Sequence, residues 1–387
     1  EQNASSLFGA DTFYSTEGSS QCIRAMLYLA CLQAKRQGRL PRIAAGRNAH
    51  KACLSAAALL NVDLLWLSSS ADSYLSCNIT PAELEQTLIN AHPRPTAVYL
   101  TSPDYLGNTV DVEGLAEVCH RHGALLLIDN AHGAYLKFLS SSRHPMDLGA
   151  DLCCDSAHKT LPVLTGGAYL HLSKNAPNAL TDQAKNALAL FGSTSPSYLI
   201  LQSLDQANQL LARGYGRSLA SLAEQVNACK TALAAGGYTL VGDEPLKITL
   251  APKGYGYTGL QLATILEQQN VICEFADPDF IVFMITPQIA PHGLDALKTI
   301  LLSLPPRDEI SSRPPEISHH RRVMSLRQAT LSPQETLPVE RCVGKILASP
   351  SVGCPPAVPI LVCGEEITPA DLALFSYYGI ETCTVVC

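Results

Sequence analysis

The sequence predicts an α/β protein: a mostly parallel sheet with helices on both faces, then a small α+β unit and a C-terminal domain. Three observations carry this. Through the first half, short apolar runs of strand length alternate with amphipathic runs of helical period. Such alternation is the pattern of a parallel sheet covered by helices. After a long helical stretch a shorter alternation resumes, and a Pro-rich, charged segment, "PPRDEISSRPPE" (305–316), separates it from the tail.

The elements follow in order. Residues 22–38, "CIRAMLYLACLQAKRQG", read as a helix ended by Gly38. Residues 42–46 are a short strand, 50–61 a helix and 64–68 a strand. The helix at 81–92 starts on Pro81 with Thr80 as its N-cap, because proline lacks the N–H that a first helical residue leaves unused. A strand at 96–103 leads to a helix capped by Asp111 and closed by Gly123. Strands follow at 124–133, 150–155 and 166–173, and helices fill 197–235. The small unit has strands at 246–251, 271–275 and 280–286 and helices at 258–269 and 292–304. We place domains at 1–225, 226–310 and 311–387. The chain opens on "EQNASSLFGA", which reads as the middle of a helix and predicts a segment upstream.

Composition narrows the function. A chain of 387 residues with 47% hydrophobic content builds its core without metal or disulfide staples. Net charge is -7 and no basic stripe appears, which argues against nucleic acid. No apolar run reaches the roughly 20 residues of a membrane helix, and no signal-peptide pattern opens the chain. The fourteen cysteines form no CxxC pair. They predict buried, reduced thiols in a cytoplasmic protein and no metal site.

The chemistry concentrates at "DLCCDSAHKTLPVLTGGAYLH" (151–171), where Lys159 sits between apolar runs. A lysine amine is useful to an enzyme as a Schiff-base partner for an aldehyde, most commonly pyridoxal 5'-phosphate (PLP). That cofactor also needs a carboxylate at its ring nitrogen, donors around its phosphate and a flat group on its ring. Asp129, at the end of "ALLLID", is the candidate carboxylate. "TEGSSQ" offers Gly18, Ser19, Ser20 and a helix N-terminus for phosphate, with Ser156 and His158 as further donors. His50 in "GRNAHKA" is the candidate stacking group, and Lys51 beside it is a weaker rival to Lys159. Taken singly, each has a plain structural alternative: a strand-end cap, an ordinary helix N-cap, an interior histidine.

In this order the motifs resemble the bacterial Orn/Lys/Arg decarboxylases, fold-type-I PLP enzymes, in their shorter form without a receiver-like domain. "LFGADTFYSTEGSS", "RNAHK", "TSPDYLGNTVDVEGLAEVCHRHGALLLIDNAHGAY", the Lys159 segment, "STSPSYLILQSLD" and "VGCPPAVPILVCGEEI" carry the resemblance. It implies that Lys159 holds PLP, Asp129 faces the ring nitrogen, and His50 and Ala131 lie on the two ring faces. It further implies phosphate contacts from Ser19, Ser20, Ser156 and His158, and support from His132. Thr194 or Ser195 would reach the phosphate of a partner subunit, making a homodimer with a shared site. Two residues depart from the family's DEAHGAH pattern: Asn130 replaces an acid and Tyr135 a histidine. The family's TPGHK-like opening has no counterpart here.

The expected reaction is decarboxylation of lysine, arginine or ornithine to the amine and CO₂, placing the enzyme in polyamine metabolism. Alternatives are an aminotransferase or other PLP lyase, or a degenerate PLP-binding protein. An aminotransferase clamps its substrate carboxylate with arginine. Arg313, Arg321, Arg322, Arg327 and Arg341 stand in no clamp motif. Glu17 and Glu365 are the candidate acids for a basic substrate.

Overall fold

A computed structural model describes residues 1–67, 73–289, 292–316, 320–349 and 358–387. Part of the C-terminal motif, 352–357, lies outside them. The strand–helix alternation is realised as α1 (Gln2–Phe8), β1 (Asp11–Ser15), α2 (Gly18–Arg36), β2 (Arg42–Gly46), α3 (Lys51–Leu60) and β3 (Asp63–Leu67). It continues through α4 (Pro81–Asn90), β4 (Ala97–Thr101), α5 (Val112–Arg121) and β5 (Leu125–Asp129). Then come β6 (Leu152–Asp155), the one-turn α6 (Ala157–Thr160), β7 (Ala168–Leu172) and α7 (Asn178–Leu190). Local chemistry sets the ends. Thr80 and Glu83 form a reciprocal capping box on α4, and Asp111 caps α5 through the Gly114 N–H.

The sheet order is β1-β7-β6-β5-β4-β2-β3. β7 pairs antiparallel with both β6 and β1 and is the reversed strand of an otherwise parallel sheet. The reason lies in its connection. Between β6 and β7 the chain makes only the single turn of α6, too little for the crossover helix that parallel neighbours need. The strand therefore returns, and Lys159 sits on that return.

Alternate residues of β2 and β4 enter different cores. Ile43, Ala45 and Tyr99 pack with α2, α3 and α7, while Ala44, Val98 and Leu100 pack with α4 and α5. Residues Leu152–Asp155 are buried throughout, as expected of a strand covered on both faces.

The remaining helices α8 (Tyr198–Ala212) and α9 (Tyr215–Ala235) lead to the small unit. It comprises β8 (Thr239–Val241), β9 (Lys247–Ala251), α10 (Gly259–Glu267), β10 (Phe275–Ala276), β11 (Ile281–Met284) and α11 (Gly293–Ser303). Its sheet is antiparallel, ordered β10-β11-β9-β8. The tail adds α12 (Leu326–Leu331), β12 (Gln334–Pro338), α13 (Pro369–Tyr377) and β13 (Thr382–Val386), with β12 paired to β13. Two corrections to the sequence reading stand out. The strand expected at 271–275 is only Phe275–Ala276, and the helix expected from residue 22 starts at Gly18. Among the described residues, no helix is long and apolar enough to cross a membrane.

Candidate active site

β5 and β6 are parallel neighbours; Asp129 pairs with Cys154, so Asp129 and Asp155 leave opposite faces of the sheet at its carboxyl end. Ligands of open α/β sheets bind at such ends. The two carboxylates have different surroundings. Asp129 Oδ2 accepts from the Tyr99 hydroxyl at 2.8 Å, and Oδ1 accepts from the Ala131 N–H at 3.2 Å. Asp155 accepts from Asn130 Nδ2 at 2.7 Å and lies 3.0 Å from Nε2 of both His144 and His171. Burial alone would raise the Asp155 carboxyl; the two imidazoles more than offset it and hold it below the usual carboxylate range. His144, Asp155 and His171 each place one potential ligand atom within 4.8 Å of the others. All three side chains are fully buried and already paired with one another.

This network explains both departures from the family pattern. Asn130 donates to Asp155, whereas an acid there would set a second carboxylate against a buried one. Tyr135 is buried, hydrogen-bonds Glu244 and accepts from the Leu246 N–H at 3.2 Å, tying the large domain to the start of β9.

The N-terminus of α2 forms the second wall. Gly18 takes a left-handed φ of 73°, with open space where a Cβ would stand, so the backbone is accessible there. Ser156 donates to Ser19 at 2.7 Å, joining the end of β6 to this helix terminus. Ser20 occupies the same first turn, whose N–H groups have no intrahelical partner. The His158 Nδ1 is the donor to the Gly167 carbonyl at 3.0 Å, so in the neutral ring Nε2 carries a lone pair. Burial lowers its imidazolium, and the ring would donate to a phosphate in its protonated form.

His50 caps α3, its Nδ1 accepting from the Ala52 N–H at 3.2 Å. Burial, opposed by Asp129, pushes its imidazole down to about 4. The ring is therefore neutral near pH 7, as a stacking partner for a flat ring requires.

Lys159 Nζ lies 2.9 Å from His132 Nε2, and His132 Nδ1 lies 2.8 Å from Lys247 Nζ. Burial, then the two lysines, push His132 well below its ordinary range. A neutral imidazole has one donor and one acceptor, and an ammonium has no acceptor. Two ammonium groups cannot both be satisfied by it. Lys247 also reaches the carbonyls of Asp104 at 3.0 Å and Tyr105 at 3.4 Å, so three acceptors match the three N–H bonds of an ammonium. Burial draws it down to about 8, still protonated at pH 7. His132 then accepts at Nδ1 and donates from Nε2, and Lys159 accepts as a free amine. Burial likewise lowers the Lys159 ammonium, against the pull of Asp129.

The structure thus brings together Lys159, His132, Asp129, Ala131 and His50, with Ser19 and Ser156 bridged beside them. Thr194 and Ser195 are exposed on the segment before α8, where the Ser193 N–H donates to Glu17 at 2.5 Å. Glu365 is committed to Arg47 at 3.2 Å and to the Val362 N–H at 2.7 Å. Arg322 pairs with Asp63 at 2.8 Å, and Arg327 caps the carbonyls of Ala58 and Leu59. Lys51 opens α3, and the His132 contact belongs to Lys159. Sequence reasoning missed Lys247, Tyr99 and Glu274. Glu274 is exposed, its charge acts on both Lys159 and Lys247, and its Oε1 accepts from Tyr105 at 3.4 Å.

These residues fit PLP. A free amine, a buried carboxylate, a neutral imidazole and an open helix N-terminus meet at the carboxyl ends of the interior strands β5 and β6.

The family profile "Orn/Lys/Arg decarboxylase, major domain" matches residues 1–235. An arginine decarboxylase of Halalkalibacterium halodurans is 29% identical, over 96% of this chain and 79% of its own. One of Bacillus subtilis is 27% identical, over 96% and 78%. Among solved structures, a lysine decarboxylase of Francisella novicida superposes with a TM-score of 0.77 at 15% identity, covering 100% of this chain and 71% of its own.

Proposed function

Because the chain belongs to the Orn/Lys/Arg decarboxylase family, a PLP-dependent group, we propose that it converts arginine to agmatine and CO₂. Arginine is preferred over lysine and ornithine on the names of the two sequence relatives, set above the lysine decarboxylase that is similar in fold at lower identity. The carrying observation is the Lys159–His132–Lys247 line, which presents a half-buried lysine as a reactive amine.

When bound, PLP supplies an electron-accepting ring that takes up the pair left behind as CO₂ departs. The chain's residues do the rest. Lys159 offers its uncharged Nζ to the cofactor aldehyde. Asp129, buried and held by Tyr99 and Ala131, favours positive charge at the ring nitrogen. His50 and Ala131 would lie on the two faces of the ring. Ser19, Ser20, Ser156 and the α2 N-terminus would hold the phosphate, with His158 beside them. Thr194 or Ser195 completes the phosphate site of a partner subunit in a homodimer. His132 holds a proton at Nε2 beside Lys159, where it can be passed to the substrate carbon. The five arginines named above stand in no recognisable clamp motif, and Arg322 and Arg327 are engaged elsewhere, which favours decarboxylation over amino transfer.

Glu274 is the acid for the substrate's guanidinium. Glu274→Gln is expected to raise KM about tenfold or more with little change in kcat, since a charge-assisted contact contributes roughly 1.5–3 kcal/mol. Steady-state kinetics check this; an unchanged KM removes Glu274 from the substrate site. CO₂ release from arginine, lysine and ornithine tests the substrate. Turnover of lysine alone would overturn the arginine assignment, and keto-acid-dependent transfer without CO₂ would overturn decarboxylation.

Lys247→Met is expected to free the His132 tautomer and slow cofactor uptake roughly 10- to 100-fold. The check is the rate of absorbance change when PLP is added to the apoenzyme. A wild-type rate would dissociate Lys247 from the state of Lys159.

A further inference from the structure

Away from Lys159, the turn between β10 and β11 buries two carboxylates without enough positive charge. Asp277 is 6% exposed. Its Oδ1 accepts from the Asp279 and Phe280 N–H groups at 2.7 and 2.6 Å, and its Oδ2 has no partner. Asp279 is 9% exposed. Its Oδ1 takes Lys253 Nζ and the Tyr377 hydroxyl, both at 2.6 Å, and its Oδ2 is likewise unpartnered. Among the described residues, Lys253 is the cation paired with these carboxylates, and it is fully used. Its other contacts are the Ser312 carbonyl at 2.7 Å and the Tyr377 oxygen at 2.5 Å. An unpaired buried carboxylate is costly, and burial with the Asp279 charge raises the Asp277 carboxyl to about 6.

Asp277 forms part of the wall of a cavity of about 260 Å³ between this turn and the C-terminal domain. Tyr74, Phe275, Tyr377 and Tyr378 line it, with Tyr378 edge-on to both Tyr74 and Tyr377 at 5.0 Å. No lysine, arginine or histidine is among its described lining residues. Carboxylate beside aromatic rings is the chemistry that recognises an organic cation.

We propose that this cavity binds an alkyl amine or alkylguanidine that carries no carboxylate of its own. A free amino acid is disfavoured, because its carboxylate would meet Asp277, and the nearby Lys253 is already spent on Asp279, Ser312 and Tyr377. The ligand class follows from the cavity and is independent of which amino acid the active site decarboxylates. Within that reading, it places a recognition site for the reaction's product class outside the active site.

The test is calorimetric titration of the holoenzyme with agmatine, cadaverine and 4-guanidinobutyrate, which carries a carboxylate but no α-amino group to react. Saturable binding of an amine, weakened at least tenfold in Asp277→Asn but unchanged in Glu274→Gln, is the expected result. 4-Guanidinobutyrate should bind this site at least tenfold more weakly than agmatine. Asp277→Asn keeps the Oδ1 acceptor and removes a buried charge, so its Tm without ligand should not fall. Leu260→Trp, at the cavity rim, blocks the site sterically and decides the matter if Asp277→Asn folds poorly. Amine binding that survives both substitutions, or that is lost in Glu274→Gln, assigns the amine to another site and overturns the proposal. Decarboxylase activity is assayed separately, so failure here leaves the active-site reading standing.

Discussion

Lys159→Ala is expected to abolish CO₂ release, with the rate falling by at least about 10³, and to remove the visible absorbance of the cofactor linked to the protein. The magnitude follows from the loss of both the covalent partner and an acid–base group, the latter alone being worth about 10²–10⁴. His132 remains in the variant, but its Nε2 proton loses the Nζ it faces at 2.9 Å. Lys51 does not compensate, because it opens α3 and the proton-carrying imidazole contacts Lys159. The measurements are the absorbance spectrum and CO₂ release from arginine. A variant that keeps both its band and its turnover would move the cofactor to another amine.

The second large effect is expected at Asp129. Asp129→Asn keeps an acceptor for the Tyr99 hydroxyl but removes the negative charge that favours a protonated ring nitrogen. An adjacent opposite charge shifts a pKa by about 1–3 units. The corresponding loss in kcat is about 10- to 10³-fold, with KM little changed because in the proposed site Asp129 would face the ring nitrogen and not the amino acid. A KM rise with kcat preserved would instead assign Asp129 to substrate binding. Tyr99→Phe provides the comparison: it removes one hydrogen bond and keeps the charge, so its effect should be much smaller.

The residues of the large-domain site were legible where chemistry and secondary structure coincide. Asp129 and Lys159 each follow an apolar run, and a polar residue at a strand end is visible in one dimension. The Gly18–Ser20 cradle was legible because a glycine before an amphipathic run marks a helix start. Lys247 was not, because it opens a short apolar run, "KITL", and reads as a flanking surface charge. Only the packing of the small sheet against the loop after β5 brings it to His132. Tyr99 was hidden for a similar reason: inside β4 it reads as core, and its hydroxyl finds Asp129 only through the β4–β5 register. The reversed β7 was equally hidden, since hydrophobic pattern does not encode strand direction. The length of its connection does. Asp277 and Asp279 looked like ordinary turn residues, and two of their oxygens emerge as unpartnered only when the C-terminal domain closes over them.

The contact between His132 and Lys247 is also a mechanical interlock. Lys159 sits between two strands of the seven-stranded sheet and Lys247 opens a strand of the four-stranded one, and the 2.8 Å hydrogen bond from His132 to Lys247 joins them. Displacing either sheet by an ångström or two opens that bond and releases the imidazole to its other tautomer. In the proposed mechanism Lys159 is therefore armed only while the two sheets are seated against each other. Assembly of the fold and readiness of the amine are one event.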